Sequence, residues 1–151
     1  GGEEYHLSME AALRRAKEQG VELVCFGDID IENNRAWAEE RCRNVGLEAV
    51  YPLWHHDRQE NVREVLELGY RCLIKTLDRR VLPRHLLGRV MDRAMVEEMT
   101  ACGVDICGEN GEFHTIAVDG PVFHRPIPYC VRQLLDLGDY SVADITVPEK
   151  E

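Results

Sequence analysis

No apolar stretch in this 151-residue chain approaches the ~20 residues a bilayer-spanning helix requires, and no signal-peptide pattern opens it. A cytoplasmic protein without a membrane partner is the expectation. Positive charge is also scarce: 18 Lys and Arg stand against 28 Asp and Glu, a formal net charge of -10. Nucleic-acid binding draws on clustered basic residues, and pairs such as Arg14-Arg15 and Arg79-Arg80 sit among acids, so they read as solvated faces and no nucleic-acid partner is expected. Paired metal-ligand spacings are missing too. Cys102 and Cys107 lie close together, yet no second Cys or His pair accompanies them, which leaves no metal site to expect. The six cysteines are scattered through mostly apolar runs and read as buried reduced thiols rather than a disulfide framework.

What the chain does have is a 44% hydrophobic content, enough to build a core without staples. Four times a helix-patterned stretch ends in glycine and a strand-like run follows. Met9, Ala12, Leu13 and Ala16 recur at helical spacing behind Ser8 as N-cap, then Gly20 precedes the expected buried strand Val21 to Phe26. Ala38, Cys42 and Val45 precede Gly46 and the strand Leu47 to Tyr51; Val62, Val65 and Leu66 precede Gly69 and Tyr70 to Thr76; Met95, Met99 and Cys102 precede Gly103 and a short strand Val104 to Cys107. Helices and strands alternating in this way predict an α/β fold with a mostly parallel sheet flanked by helices. Beyond it, Phe113 to Val118, the Asp119-Gly120-Pro121 turn and Tyr140 to Val147 predict a smaller mixed or antiparallel C-terminal part, with Val131 to Leu137 open between strand and helix.

In an open parallel sheet ligands bind beyond the carboxyl ends of the strands. Those ends carry Gly27-Asp28-Ile29-Asp30, then Pro52-Leu53-Trp54-His55-His56-Asp57, then Leu77-Asp78-Arg79-Arg80, and finally the octet Gly108-Glu109-Asn110-Gly111-Glu112-Phe113-His114-Thr115. Four loops are expected to converge along one edge. Each has a plainer alternative: Asp28 and Asp30 as the acidic start of a helix, Trp54 as a hydrophobic plug, His55 and His56 as surface residues, the octet as a glycine-rich hairpin. A turn needs its glycines but does not need Glu109, Asn110, Glu112, His114 and Thr115 together, and strand alternation places Glu112 and His114 on one face. A carboxylate beside an imidazole suits proton transfer or ammonium binding.

The octet, followed by Asp119-Gly120-Pro121-Val122-Phe123 and preceded in order by Phe26-Gly27-Asp28-Ile29, Tyr51-Pro52-Leu53-Trp54 and Leu87-Gly88-Arg89, resembles the signature of the diphthine-ammonia ligase family of PP-loop ATP pyrophosphatases. The resemblance implies a Rossmann-like, HUP-type nucleotide fold and ATP-dependent amidation, in which a carboxylate is adenylated and ammonia displaces AMP. It implies that residues 1–57 are the C-terminal part of a nucleotide-binding subdomain and residues 58–151 a substrate-side subdomain, within one compact domain. Glu109, Glu112 and His114 would be catalytic, Asn110, Gly111, Thr115 and Trp54 substrate-binding, and Gly27 and Asp28 would border the nucleotide. Partners would be ammonia and a small-molecule or protein carboxylate, with a homo-oligomer among the allowed assemblies.

The family's Ser-Gly-Gly-x-Asp-Ser phosphate loop does not occur in this sequence, so ATP with magnesium is expected only together with such a segment. The opening Gly1-Gly2-Glu3-Glu4, without Met, marks either a removed tag or material upstream. Two other classes remain open: a non-catalytic ligand-binding or interaction module, and a metal-dependent hydrolase using Glu109, Glu112, His114 and Asp119.

Overall fold

The structure is a computed structural model that describes residues 2–148. The chain divides into two compact units between His56 and Asp57. The first contains α1 (Gly2–Glu18), β1 (Leu23–Cys25), α2 (Glu32–Val45) and β2 (Glu48–Val50). β1 and β2 pair in parallel, with α2 as the crossover such neighbours require. Leu13, Cys42, Val45 and Leu47 form the core, and Met9, Val24, Phe26 and Ala49 pack against it, so the expected α2 stripe faces inward, as do Met9 and Leu13 of the α1 stripe, whereas its Ala12 is exposed. α2 ends at Gly46 in the left-handed conformation, φ 72°, where the Leu47 N–H reaches the Cys42 carbonyl at 3.0 Å.

Two local expectations give way here. α1 runs through Ser8 instead of starting at it, since its first turns are held by Tyr5 stacked on Trp37, centroids 5.5 Å apart, and by His6 against Arg41. Nor is β1 a buried strand over Val21 to Phe26. Only three residues pair, Val24 turns toward the core, and Leu23 and Cys25 are exposed on the other face.

The second unit holds α3 (Arg58–Glu67), β3 (Arg71–Asp78), a 3-10 turn at Arg84–Leu86, α4 (Arg93–Ala101), β4 (Phe113–Asp119), β5 (Cys130–Leu137) and β6 (Tyr140–Thr146). Asp57 and Asp92 cap α3 and α4 by accepting from the N–H groups of Glu60 and Met95 at 2.9 and 2.8 Å. The four strands form an antiparallel sheet in the order β4-β3-β6-β5. The expectation of a mostly parallel sheet is therefore corrected: the parallel part is the two-stranded β1–β2 pair, and β3 is the centre of a separate antiparallel sheet. The expected fourth parallel strand, Val104 to Cys107, does not form. The Asp105 carboxylate takes the N–H groups of Cys107 and Glu109 at 3.1 and 2.9 Å, donors that a ladder would have used.

The core of this unit gathers Ile74, Leu77, Leu86, Met95, Met99, Phe113 and Ala143 under α3 and α4. Met95 and Met99 are 1% and 0% exposed, as their helical spacing predicts. Met99→Ala is expected to lower unfolding free energy by about 2–5 kcal/mol, read from the urea midpoint; a change below measurement error would contradict the packing described. No disulfide joins the six cysteines, but only Cys42 is fully buried; Cys72 and Cys107 are half-buried, and Cys25, Cys102 and Cys130 are exposed. The exposed three lie on the outward face of β1, just past α4 and at the start of edge strand β5, where an apolar sequence neighbourhood does not mean burial. Burial pushes the Cys42 and Cys72 thiols up from their ordinary value.

Candidate functional site

The octet is built on Asp105, a residue its composition does not draw attention to. Besides the two side-chain bonds already given, the Asp105 carbonyl accepts from the Gly108 N–H at 3.0 Å, and Gly108 in turn accepts from Gly111 at 3.0 Å. Gly108 has φ 72°, and a β-carbon there would lie 2.9 Å from the Phe113 carbonyl oxygen and 3.2 Å from its ring. The turn thus closes onto Phe113, the first residue of β4 and a member of the core. Arg58, in the first turn of α3, ion-pairs with Asp105 Oδ2, and the Cys107 thiol donates to the Arg58 carbonyl at 3.2 Å.

Glu112 Oε1 accepts from the Asp105 N–H and from the Asn110 side-chain amide, both at 3.2 Å. Burial pushes the Glu112 carboxyl up, but hydrogen bonds from its own N–H, the Asn110 side chain and the N–H groups of Asp105 and Asn110 more than offset this, leaving it below the ordinary glutamate value. Its second oxygen, Oε2, is buried with no hydrogen-bond partner among the described residues.

The sheet register explains what surrounds Glu112. Leu77 pairs with Phe113, and the Asp78 N–H donates to the Glu112 carbonyl at 2.8 Å, carrying the ladder one step further. Directly opposite residues share a face. Glu112, Asp78 and Tyr140 therefore make one row, and His114, Thr76 and Val142 the next. Asp78 is held by Arg80, whose guanidinium and N–H groups contact both carboxylate oxygens and lower its pKa. The Thr76 hydroxyl, like Glu112 Oε2, is buried without a hydrogen-bond partner among the described residues. His114 shares the face but is exposed, and among the described residues no hydrogen bond joins it to Glu112, whose bonds turn back to Asp105 and Asn110. Thr115 pairs with Ile74 and is exposed on the opposite face of edge strand β4. Glu109 and Gly111 belong to the turn itself, Glu109 through its N–H to Asp105.

In the first unit the two predicted loops meet: the His55 N–H donates to the Ile29 carbonyl at 2.7 Å, with His55 in the left-handed region at φ 61°. Trp54 is half-buried. It meets Tyr51 edge-on at 5.9 Å, and the Arg35 guanidinium lies 4.7 Å from its ring. Burial first, then the charges of Glu39 and Asp28, push the Tyr51 phenol up. The N-cap position of α2 is Ile31, which makes no side-chain cap bond, so Asp28 is not its N-cap. Instead Asp28 joins Asn34, Tyr5, Phe26, Trp37 and Ala38 around a cavity of about 350 Å³. A β-carbon on Gly27 would meet nothing within 4 Å, so the fold itself leaves this strand end open.

Sequence reasoning missed Asp105, Arg58 and Thr76 as parts of the site, while Asp78 lies in one of the four loops it expected to converge with the octet. Asp105 carried a signal, being a short carboxylate two and four residues ahead of the N–H groups it captures. Among the described residues no three His, Cys, Asp or Glu side chains are grouped to hold a metal, and no helix is long and apolar enough to cross a membrane.

Known proteins are similar to this chain in sequence. A family model described as the diphthamide synthase C-terminal domain matches residues 57–133, just over half the chain, beginning where the second unit begins. Human diphthine–ammonia ligase is 29% identical over 119 residues, covering 76% of this chain and 44% of the relative. The Danio rerio protein of the same name is 31% identical over 120 residues, 76% of this chain and 47% of the relative. That of Schizosaccharomyces pombe is 24% identical over 130 residues, 84% and 22%. The chain thus spans less than half the length of these curated relatives. With the family model matched across the octet and the strands that carry it, the chain belongs to the diphthamide synthase C-terminal domain family.

Proposed function

We propose that this chain takes part in ATP-dependent carbon–nitrogen ligation: the amidation of a carboxylate such as diphthine by ammonia, through an acyl-adenylate, in the cytoplasm. In this reading residues 58–151 form the substrate side and residues 1–57 border the nucleotide. The observation that carries it is Glu112, a carboxylate kept ionised by the octet's own N–H groups, with one buried oxygen left unpartnered. Such a group attracts ammonium and accepts a proton as nitrogen becomes bonded to carbon. Glu109, Asn110, Gly111 and His114 lie beside it in sequence and shape the acceptor side.

A carboxylate does not lose hydroxide to ammonia near neutral pH, and ATP with magnesium supplies the better leaving group. The first unit's residues fit a nucleoside: Tyr5, Phe26 and Trp37 offer aromatic walls, and Asp28 and Asn34 offer polar contacts around about 350 Å³. The open end of β1 at Gly27 allows close approach.

The test is an assay of the complete protein with ATP, magnesium, ammonium and elongation factor 2 carrying diphthine. The expected result is AMP formation that requires both ammonium and acceptor, with the acid-to-amide mass change on the factor. ATP-independent binding of the acceptor with no AMP would instead support a non-catalytic module and end the ligase reading.

A further inference from the structure

We propose that Asp105 is a positioning residue for this site: anchored to α3 through Arg58, its carboxylate and backbone hold Glu109 and Glu112 in the geometry the octet presents to substrate. Its catalytic meaning rests on the ligase reading; its structural content does not. Asp105 reaches no reacting group in this reading, and it acts entirely through its neighbours.

The case rests on how many octet bonds converge on one residue. Oδ1 accepts from the Cys107 N–H and Oδ2 from the Glu109 N–H, at 3.1 and 2.9 Å. The Asp105 carbonyl accepts from the Gly108 N–H at 3.0 Å, and its N–H donates to Glu112 Oε1 at 3.2 Å. The side chain is 9% exposed and paired with Arg58, itself 26% exposed, so the charge is shielded from water and compensated from a different element. A residue whose carboxylate and carbonyl together accept from three successive turn N–H groups, those of Cys107, Gly108 and Glu109, fixes backbone directions that the turn's two glycines, Gly108 and Gly111, both at positive φ, would otherwise leave loose. The contact of the Cys107 thiol with the Arg58 carbonyl ties the same turn to the same helix a second time. Preorganisation of this kind matters because small displacements of a catalytic group cost large factors in rate.

The experiment compares Asp105→Asn and Arg58→Ala in the complete protein. Asparagine keeps the shape and one acceptor oxygen while removing the charge that Arg58 compensates. Amide hydrogen exchange at Cys107 and Glu109 is expected to quicken by about tenfold or more, the scale of one hydrogen bond to a charged acceptor. In the same variants the carboxyl titration of Glu112, followed by NMR, is expected to move up toward the ordinary glutamate range. In the ligation assay kcat/KM for the carboxylate acceptor is expected to fall by about 10–100-fold, while KM for ATP stays within about twofold. Combining the two substitutions is expected to cost little more than either alone, as for members of one unit.

Unchanged exchange and an unchanged Glu112 titration in Asp105→Asn would overturn the inference, as would losses that scale equally across all substrates with the folded fraction. If Asp105→Asn fails to fold, Arg58→Ala decides by the same readouts. A wild-type protein that releases no AMP would sink the ligase reading alone, and the exchange and titration measurements would still decide the role of Asp105.

Discussion

Glu112→Gln is expected to lower acceptor-dependent AMP release by the complete protein about 10²–10³-fold, within the usual range for loss of a positioned general base, with only a modest loss of stability at neutral pH, where the ionised carboxylate contributes. The two halves of this expectation come from the two oxygens. Oε1 accepts from Asp105 and Asn110, and a glutamine carbonyl can keep both bonds. Oε2 has no protein partner, so an amide nitrogen there breaks no existing bond. What the substitution removes is the negative charge and the ability to take a proton. Turnover equal to wild type would refute a catalytic role for this carboxylate. The same group makes a pH prediction. Its folded pKa is depressed, so its contribution to stability is fully present above its unfolded value, about 4.3 for glutamate, and is lost as pH falls through the lower folded value. Acid titrations of stability should therefore show a smaller loss below that value in Glu112→Gln than in wild type, and identical acid limbs would contradict the hydrogen-bond network described.

Local patterns in the sequence reached as far as the elements and stopped at their pairing. Gly20, Gly46, Gly69 and Gly103 do follow the helices they were expected to end, all at positive φ, because a helix stop is written within a few residues. Met95, Met99, Cys42 and Val45 were legible as core by their spacing. The choice between parallel and antiparallel pairing for β3 was not legible, since its partners β4 and β6 lie far along the chain and register depends on contacts no local window contains. For the same reason the Asp78 loop could be expected near the octet, but not that Asp78 would stand opposite Glu112 and Thr76 opposite His114: these pairs form only once Leu77 is set opposite Phe113. The alternation that puts Glu112 and His114 on one face was legible, but not that Glu112 would bond backward into its own turn. Asp105 was hidden for another reason. It sits in an apolar run, Val104 to Cys107, that reads as strand until its carboxylate is allowed to compete for the backbone N–H groups.

Gly108→Ala is expected to destabilise the second unit by about 2–4 kcal/mol, combining roughly 1–2 kcal/mol for a β-carbon in the left-handed region with a steric cost of similar scale. The steric part comes from Phe113. The new carbon would lie 2.9 Å from the Phe113 carbonyl oxygen, which is backbone and cannot swing aside, and 3.2 Å from a ring that is only 4% exposed and fixed in the core. Gly111→Ala separates the two contributions. Gly111 has φ 85°, comparable to the 72° of Gly108, yet nothing lies within 4 Å of its added carbon, so only the backbone cost of about 1–2 kcal/mol applies. Thermal or urea denaturation of both variants gives the difference directly, and equal destabilisation would show that the close approach to Phe113 carries no energy. Relief of the clash has to displace Phe113, the residue adjacent to Glu112 and opposite Leu77 in the ladder. The displaced residue pulls the Asp78–Glu112 bond with it, and Gly108→Ala should for that reason also slow exchange-protected closure of the octet, seen as faster hydrogen exchange at the Asp78 amide than in Gly111→Ala.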